Sequence, residues 1–484
     1  MKTLILLALV TILTTTQLFA QLTAQERLKY PLALDMKGQT FSEPGPVNTN
    51  PNPLVFFNIN ISQNSAPQNE PSVKISRKDT NRVVAAWRDF RYGIDPAANR
   101  RVGYSYSTNG GLTWAVSQIL DSTLLPGGLT RNSDPVVTVD TAGNFYIAVI
   151  AIAGISGANL TLAVYKSTNA GVTFGQAFIC SQTGSEDKEW LTTDLSSTSP
   201  FLNSLYISWT SFSLGGIKLT KSTNLGVNWS TPSNVSDQTN NVQGSDICIS
   251  KDGQVNVVWL GFSTNADVTF DRSTNGGSTF QTDIIVTTGE FPNGLPNDVN
   301  SFPTIAVDNS SFPRSGWLYI AFADNRNGDC DIFLTRSTNN GANWSAPVRV
   351  NNDPIANGKL QYWPTIAVNE TGNLAILFMD TRNTTSNTTI EAYIARSYDG
   401  GFSFTNEVIS TEPSPTAIPG SNVRFGDYID LDYKGVRLVP VWTDERAGGF
   451  NTDIFTSEID ELLASGENTG NVPTAFSLGQ NYPN

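Results

Sequence analysis

The chain has 484 residues and a formal net charge of −13, from 43 acidic and 30 basic side chains. An acidic protein is repelled by nucleic acid and by anionic membrane surfaces, so neither is an expected partner. Histidine is absent, which excludes Ser-His-Asp and Cys-His catalysis and histidine-ligated zinc. Any catalysis must therefore use carboxylates, tyrosine, lysine or arginine. The three cysteines are too few, and odd in number, for a disulfide framework.

The first 20 residues predict a secretory signal peptide. Lys2 supplies a positive start, Leu4–Leu13 is an apolar run, and Ala20 is a small residue at the cleavage position. The run is too short to span a membrane, and no other stretch is apolar enough to do so. We therefore expect a protein that is secreted or displayed at the cell surface. Residues 21–53 are rich in Pro and Asn and predict an N-terminal arm.

A short pattern then recurs six times, with copies spaced by about 50 to 65 residues, which is typical of repeat architectures. Each copy has Ser first, Asn or Asp third, Gly fifth and an aromatic residue eighth. Asn or Asp accepts hydrogen bonds within such a turn, Gly tolerates a positive φ, and the aromatic residue favours a following strand. The copies are Ser107–Trp114, Ser167–Phe174, Ser222–Trp229, Ser273–Phe280, Ser337–Trp344 and Ser397–Phe404.

This pattern resembles the Asp-box of sialidases and of other β-propellers with the same repeat, and the resemblance spans nearly the whole chain. The chain departs from the family in that five copies carry Asn at the Asp position, while Asp399 keeps the carboxylate. The turn tolerates either residue. In the family the boxes join the third and fourth strands of a blade, on the face away from the active site. The resemblance therefore implies that the six turns are structural.

Counting strands predicts seven blades. Each predicted set starts with a short apolar strand, as at Pro71–Ile75, and continues with a longer one, as at 82–87. The seventh set has three strands, and Leu54–Ser62 matches the missing fourth, so this N-terminal strand should close the ring. We predict an all-β, seven-bladed propeller of four-stranded antiparallel blades over residues 54–460, with six blades, as in sialidases, as the alternative. Ile459–Leu463 is the one expected helical turn.

The loops after the second strands carry a second repeat, aromatic-x-Asp-x-Arg, and in a propeller these loops meet at one mouth. Two interpretations stay open. Arginine forks can hold a substrate carboxylate, which makes the motif substrate-binding. Alternatively, the motif is a salt-bridge girdle that came with the repeat. The pairs are Asp89 with Arg91, Asp324 with Arg326, Asp380 with Arg382, and Asp444 with Arg446, and a second acidic ring comes from Glu70, Asp134, Asp187, Glu189, Asp246 and Asp427.

The resemblance also implies a chemistry. Sialidases use three arginines for the substrate carboxylate, a Tyr nucleophile helped by Glu, and an Asp acid/base. Tyr428 begins the first strand of the last set, where such a nucleophile would lie, and we assign Glu189 and Asp89 as its candidate catalytic carboxylates. The Arg-Ile-Pro motif that supplies the first family arginine is missing, and Asn69–Ser72 stands in its place.

Two further features bear on ligands and sorting. Calcium is a weaker hypothesis for the oxygen-rich loop Asp324–Asp331, and no other cofactor is expected. Residues 461–484 predict a linker and the start of a truncated sorting domain, because Phe476–Asn484 resembles the opening of the domain read by the type IX secretion machinery.

Three functions follow from these features. The first is an exported sialidase-like glycosidase that acts on glycans or glycoproteins outside the cell. The second is a non-catalytic propeller that binds glycan or protein, and the third is a structural module of a larger surface protein. An enzyme should show one asymmetric cluster with two carboxylates about 5–10 Å apart. A binder should show exposed aromatic side chains at the mouth, with Phe90, Tyr92, Phe212 and Phe450 as candidates.

Overall fold

The computed structural model describes residues 56–93, 100–153, 160–262, 265–292, 295–296, 299–416, 425–448, 451–457 and 459–460. These residues form seven antiparallel sheets, arranged as the blades of a β-propeller. The innermost strand of each blade contacts that of the next, and the last contacts the first, so the ring is closed. The predicted fold is confirmed and the six-bladed alternative is wrong. Within the described ranges, no helix is both long and apolar enough to cross a membrane.

The strands run outwards from the axis in chain order within blades 1–4. Blade 1 contains β2 to β5, at Gln68–Ile75, Val83–Asp89, Arg101–Ser107 and Gln118–Ile119. Blade 2 contains β6 to β9, at Arg131–Val139, Phe145–Ile152, Leu160–Ser167 and Phe178–Gly184. Blade 3 contains β10 to β13, at Glu186–Thr193, Leu205–Ser211, Ile217–Ser222 and Ser233–Asn234. Blade 4 contains β14 to β17, at Val242–Ile249, Val255–Gly261, Ala266–Ser273 and Ile284–Gly289.

Blades 5 and 6 follow the same order, and blade 7 differs in its outer strands. Blade 5 contains β18 to β21, at Thr304–Val307, Leu318–Asp324, Asp331–Ser337 and Val348–Arg349. Blade 6 contains β22 to β25, at Gln361–Val368, Leu374–Asp380, Thr389–Ser397 and Thr405–Val408, with β26 at Ser414–Pro415 beside β24. Blade 7 contains β27 to β29, at Asp430–Lys434, Arg437–Asp444 and Asp453–Ser457, with β30 at Ile459–Asp460 beside β28.

The fourth strand of blade 7 is β1, at Asn58–Asn60, which pairs antiparallel with β29. The predicted closure by the N-terminal strand is therefore confirmed, although the paired segment is shorter than Leu54–Ser62. Ile61 follows β1, is fully buried, and donates its N–H to the Ile454 carbonyl at 2.8 Å. β1 thus covers the outer edge of β29, which would otherwise be unpaired.

The expected helical turn at Ile459–Leu463 is wrong where the structure describes it. Along β28, β29 pairs with Val441–Asp444 and not with Arg437 and Leu438 at the start of the strand. β30 pairs with those two residues instead. The described helical segment is a single 3-10 turn at Ser122–Leu124. The predicted signal peptide, the N-terminal arm and residues 461–484 lie outside the described residues.

Large aromatic side chains fill the space between blades. The second strands of blades 1, 3, 4 and 7 each place one tryptophan in the core with under 2% of its surface exposed. These residues are Trp87, Trp209, Trp259 and Trp442. Burial of such rings contributes much of the apolar area that stabilises a fold made of thin sheets.

Each of the six repeated turns joins the third strand of a blade to its fourth, and its bonds explain why Asn replaces Asp. The Ser107 hydroxyl donates to the Asn109 side-chain oxygen at 2.9 Å and accepts from the Gly111 N–H at 2.9 Å. The same Asn109 oxygen accepts the Thr113 N–H at 2.9 Å. At Asp399 the equivalent bonds recur from Ser397 and Ser403. One carbonyl-type oxygen is enough for this turn, and an Asn amide supplies it as well as a carboxylate.

Candidate functional site

The four aromatic-x-Asp-x-Arg motifs each form an internal ion pair. The guanidinium–carboxylate distances are 2.8 Å for Arg91–Asp89, 2.7 Å for Arg326–Asp324, 2.6 Å for Arg382–Asp380 and 2.6 Å for Arg446–Asp444. In every motif the main-chain N–H of the arginine also donates to the same carboxylate. The four carboxylates are buried. Burial raises the pKa of Asp380 to about 6, against the opposing effect of Arg382.

Two of these four carboxylates, Asp89 and Asp444, accept hydrogen bonds from core tryptophans. The Trp87 indole N–H donates to Asp89 at 3.0 Å, and the Trp442 indole N–H donates to Asp444 at 2.9 Å. Blade 3 has Ser211 at this position, and there Glu186 of the first strand accepts the Trp209 indole N–H instead. A buried indole N–H needs an acceptor, and in blade 3 the first strand supplies it in place of the missing Asp. In blade 4, which has Gly261 at this position, the Trp259 indole N–H has no acceptor among the described residues.

The arginines of the motifs reach the outer parts of the blades. Arg446 donates to Asn58 of the closing strand at 2.9 Å and its guanidinium lies 4.3 Å from the Phe455 ring centroid. Arg382 lies over the Tyr393 ring at 4.4 Å. These contacts account for the motif by internal bonds and favour the girdle interpretation. Substrate binding by Arg91, Arg326, Arg382 and Arg446, and by Asp324, Asp380 and Asp444, stays a prediction.

A different set of residues meets at the axis, where the inner strands of five blades contain β-bulges. At four of these bulges a non-glycine residue has a positive φ, with values of 54° at Glu70, 53° at Asp134, 50° at Lys188 and 56° at Trp363. Bulges redirect side chains, and residues held in this region of φ/ψ space are concentrated at functional sites.

Glu70 and Asp134 share one arginine across the boundary between blades 1 and 2. The Arg88 guanidinium lies 2.9 Å from Glu70 and 3.5 Å from Asp134. Among the described residues, the second carboxyl oxygen of Glu70 has no hydrogen-bond partner. Burial and the Asp134 charge raise the pKa of Glu70 well above its usual value, despite Arg88. Burial opposes ionisation of Asp134 too, but Arg88 and the Ser133 hydroxyl lower its pKa overall. The pKa values of the two carboxyl groups are thus shifted in opposite directions.

Tyr428 lies next to this pair. Its hydroxyl donates to the Pro135 carbonyl at 3.3 Å, and its ring meets the Trp190 ring edge-on at 5.6 Å. Burial, followed by the charges of Glu70, Asp134 and Glu189, raises the pKa of Tyr428 well above its usual value. The structure thus brings Tyr428 together with two of the acidic residues noted in the sequence, Glu70 and Asp134, and with Glu189.

The other predicted carboxylates are placed differently. Glu189 is 1% exposed, and among the described residues neither of its carboxyl oxygens has a hydrogen-bond partner. Burial raises its pKa well above the usual value. Asp246 accepts the Ile305 N–H of the next blade at 2.8 Å and thereby joins blade 4 to blade 5. Asp89 is paired with Arg91 and is not part of the axial cluster.

Two residues of the cluster escaped sequence reasoning. Arg88 is the neighbour of Asp89 on β3, and alternation along a strand sends the two side chains to opposite faces. Lys188 was passed over between Asp187 and Glu189. The sequence did carry one signal for the position of the cluster. In three blades the bulge residue with a positive φ stands directly before a proline, at Glu70-Pro71, Asp134-Pro135 and Trp363-Pro364.

Two cavities lie along the axis. The smaller is lined by Lys188, Trp190, Asp246, Trp363, Asp427 and Tyr428 among others, and has a volume of about 20 Å³. The larger, of about 700 Å³, lies towards the ends of the inner strands, on the side of the repeated turns. Its cations are paired within the fold, for example Arg77 with Asp432 at 2.8 Å. Trp190 and Asp246 line both cavities, so they form the narrow part of one channel.

In the candidate calcium loop, the carboxylates of Asp324 and Asp331 are bonded to side chains of the protein. Asp324 is held by Arg326, and Asp331 accepts from Asn327, Arg349 and Asn351 at 2.7 Å each. Among the described residues, no group of three or more Asp, Glu or Cys side chains is arranged to hold a metal ion. Calcium binding stays untested by these contacts.

A scan against protein-family models gave no match, and a search of curated proteins gave none. Solved structures with similar folds include a leech intramolecular trans-sialidase in complex with 2,7-anhydro-Neu5Ac, at 12% identity and a TM-score of 0.46, covering 72% of this chain and 69% of that one. An ulvan lyase of polysaccharide lyase family PL25, bound to -[GlcA(1-4)Rha3S]-, has 11% identity and a TM-score of 0.49, covering 82% and 95%.

A protein of unknown function from Dyadobacter fermentans is similar at 12% identity with a TM-score of 0.46, covering 83% of this chain and 97% of that one. Sialidases and other sugar-related propellers are thus among the similar folds. Because all three TM-scores are below 0.5, the fold assignment rests on the strand topology and the function must be argued from the site.

Proposed function

We propose that the protein recognises extracellular glycans at the axial cluster and hydrolyses a glycosidic bond there, in the manner expected of a sialidase-like propeller. The observation that carries this proposal is the pairing of Glu70 and Asp134 with one arginine beside Tyr428. The pKa values of the two carboxyl groups shift in opposite directions, and such pairs mark acid and base roles. The cluster is asymmetric, drawn from blades 7, 1, 2 and 3, whereas the Asp–Arg pairs repeat from blade to blade.

The shared pairing of Glu70 and Asp134 with Arg88 restricts the mechanism. Carboxyl groups that flank a glycosidic bond are about 5–5.5 Å apart in retaining enzymes and farther apart in inverting ones. In this proposal the two carboxyl groups, held by one guanidinium, act together as one acid/base unit. The nucleophile in this proposal is Tyr428. Its oxygen bonds to the anomeric carbon as the glycosidic C–O bond breaks, its proton passes to Asp134, and Glu70 gives its proton to the leaving oxygen. Water then attacks the anomeric carbon and gives its proton to Glu70, while the bond to the Tyr428 oxygen breaks and Asp134 returns the proton to that oxygen.

In this proposal the acidic partners of Tyr428 are Glu70 and Asp134, and Glu189 is a buried neighbour without a hydrogen-bond partner among the described residues. The exo-sialidase form of the proposal further needs cations for the substrate carboxylate. Arg88 and Lys188 are the cations of the described cluster, and Arg88 is already bonded to two carboxyl groups.

Non-catalytic glycan or protein binding is the second candidate. Tyr92 is 58% exposed and Phe212 is 59% exposed, on the loops that follow the second strands of blades 1 and 3. Exposed aromatic rings are frequent anchors of binding surfaces. Phe90 is buried, and Phe450 lies outside the described residues. The hydrogen bond of the Tyr428 hydroxyl to a main-chain carbonyl also favours this candidate, since a nucleophile must first release that bond.

The test is turnover of fluorogenic sialosides and neutral glycosides by the purified chain, in parallel with a glycan array. We expect Tyr428→Phe and Asp134→Asn each to lower turnover at least about 1,000-fold, because nucleophile and base act as a unit. Tyr92→Phe is the matched control and should leave turnover unchanged. Turnover that survives Tyr428→Phe would refute the mechanism, and array binding without turnover of any glycoside would favour the second candidate.

Export is part of the proposal, based on the predicted signal peptide and on the resemblance of Phe476–Asn484 to a type IX sorting signal. We expect the full chain to appear outside the cytoplasm in a host with that machinery, and a chain truncated before Phe476 to be retained. Equal distribution of the two chains in fractionated cells would contradict the sorting role.

A further inference from the structure

Lys188 makes an unusual set of contacts at the axis. Its ammonium group lies 4.0 Å from the centroid of the Trp190 ring and 4.8 Å from that of the Tyr428 ring. Among the described residues its nitrogen takes part in no hydrogen bond and no ion pair within 4 Å. A lysine ammonium has three donors, so Lys188 presents unused donors at the wall of the smaller cavity.

The backbone holds this side chain in place at a cost. Lys188 has a φ of 50° within the bulge of β10, a conformation that costs a non-glycine residue on the order of 1–3 kcal/mol. The side chain is partly enclosed, and burial lowers its pKa against the opposing charges of Asp246, Glu189, Asp187 and Asp427. A strained, desolvated cation without a fixed partner is not explained by stability alone.

The surroundings of Lys188 define what can approach it. The cavity beside it is about 20 Å³, room for about one water molecule, so a ligand can insert one small group rather than a whole ring. Asp246 and Asp427 line the same cavity and would repel a second carboxylate. Hydroxyl groups fit, because a hydroxyl accepts from an ammonium and donates to a carboxylate. The Trp363 ring supplies an apolar wall.

Resting on the proposed function, we infer that Lys188 is a specificity-determining residue that receives a hydroxyl or hydroxymethyl group at the end of a neutral sugar chain. The inserted hydroxyl takes the place of one water. It donates a hydrogen bond to Asp427 or Asp246 and accepts one from the Lys188 ammonium group. Carboxylated sugars are selected against at this position because the inner channel carries more carboxylates than cations.

The test compares binding of immobilised neutral oligosaccharides (lactose, cellobiose and mannobiose) with that of sialyllactose and a glucuronic-acid disaccharide. Lys188→Met keeps an unbranched side chain, one atom shorter, together with the backbone strain, and it removes the donors. A hydrogen bond to a charged group contributes about 1.5–3 kcal/mol, so we expect about 10- to 150-fold weaker binding of the preferred neutral sugar. Lys166→Met is the matched control, because Lys166 also lies over a ring, that of Tyr146 at 5.3 Å, outside the cluster.

The outcomes separate this inference from the proposed function. If the wild-type chain binds and cleaves no glycan, the proposed function fails. If it binds a neutral sugar and Lys188→Met, with an unchanged melting temperature, binds equally well, the assignment of Lys188 is wrong and the proposed function stands. A preference of the wild-type chain for sialyllactose or the glucuronide would overturn the selection against carboxylated sugars.

Discussion

Replacement of Asp444 by alanine distinguishes the girdle from a substrate-binding ring. Asp444 is 1% exposed and accepts from the Trp442 indole at 2.9 Å and from Arg446 at 2.8, 3.0 and 2.6 Å. The alanine variant leaves the indole N–H without an acceptor and the guanidinium without its charge partner. Removing one member of a buried pair costs about 3–5 kcal/mol. Arg446 keeps Asn58 and Thr411 as partners, so we expect the lower end, about 3 kcal/mol.

This cost converts into a modest shift of the melting temperature, since the fold is large. With about 2.1 cal/mol/K of unfolding entropy per residue over about 400 residues, a loss of 3 kcal/mol lowers the melting temperature by about 4 °C. Calorimetry at several scan rates should show this shift. Asp444→Asn, which keeps one acceptor oxygen, should lose less than half of it. Asp79→Ala is the control, because Asp79 pairs with Arg82 at 3.6 Å on the surface, where such pairs contribute little.

The girdle interpretation would be refuted by the opposite pattern. If Asp444→Ala melts like the wild-type chain but loses glycan binding, the carboxylate serves a ligand, and the substrate-binding prediction for the four Asp–Arg pairs is supported. Loss of stability with retained binding would assign the motif to the fold.

Three further variants test other parts of the structure. Glu189→Gln should flatten the pH dependence of stability. The raised pKa of Glu189 means that the folded state keeps a proton which the unfolded state has lost, so the wild-type chain loses up to about 1.4 kcal/mol of unfolding free energy per pH unit as the pH rises. Melting temperatures of the two chains that change in parallel from about pH 5 to about pH 8 would contradict this. Ile61→Ala removes a fully buried side chain at the closure and should cost about 2–5 kcal/mol in chemical denaturation, whereas a loss below about 1 kcal/mol would mean that β1 does not secure blade 7. Gly103→Ala would place a Cβ 2.4 Å from the Trp87 indole nitrogen and 2.7 Å from Asp89, and should cost about 1–3 kcal/mol; an unchanged melting temperature would contradict the tight packing at this indole–carboxylate pair.

Much of the fold could be predicted because its signals are local. The repeated turns depend on bonds within eight residues, such as those of Ser107, Asn109 and Gly111. Their recurrence predicted a repeat fold, and the count of apolar strand sets predicted seven blades. Even the closing strand was predictable, since a three-stranded last set required a fourth strand from elsewhere. The helical expectation at Ile459 failed because the open edge of Arg437 and Leu438 is a tertiary feature that no local propensity reports.

The candidate site was only partly predictable for the same reason. The pattern around Asp89 and Arg91 is conspicuous in the sequence, yet its partners are its own neighbours and the core tryptophan. Arg88 looked unremarkable because its partners Glu70 and Asp134 are 18 and 46 residues away and meet it only across two inner strands. Tyr428 was found through the family resemblance rather than through its neighbours.

The sequence by itself determined the repeat, the turn chemistry, the absence of histidine-based catalysis and the number of sheets, because each depends on residue type and spacing along the chain. Only the tertiary structure decided which carboxyl groups share an arginine, in which direction their pKa values shift, and which cation is left without a partner among the described residues. Those properties depend on burial and on charges brought together from blades 1, 2, 3 and 7, where inner strands distant in sequence converge on one axis.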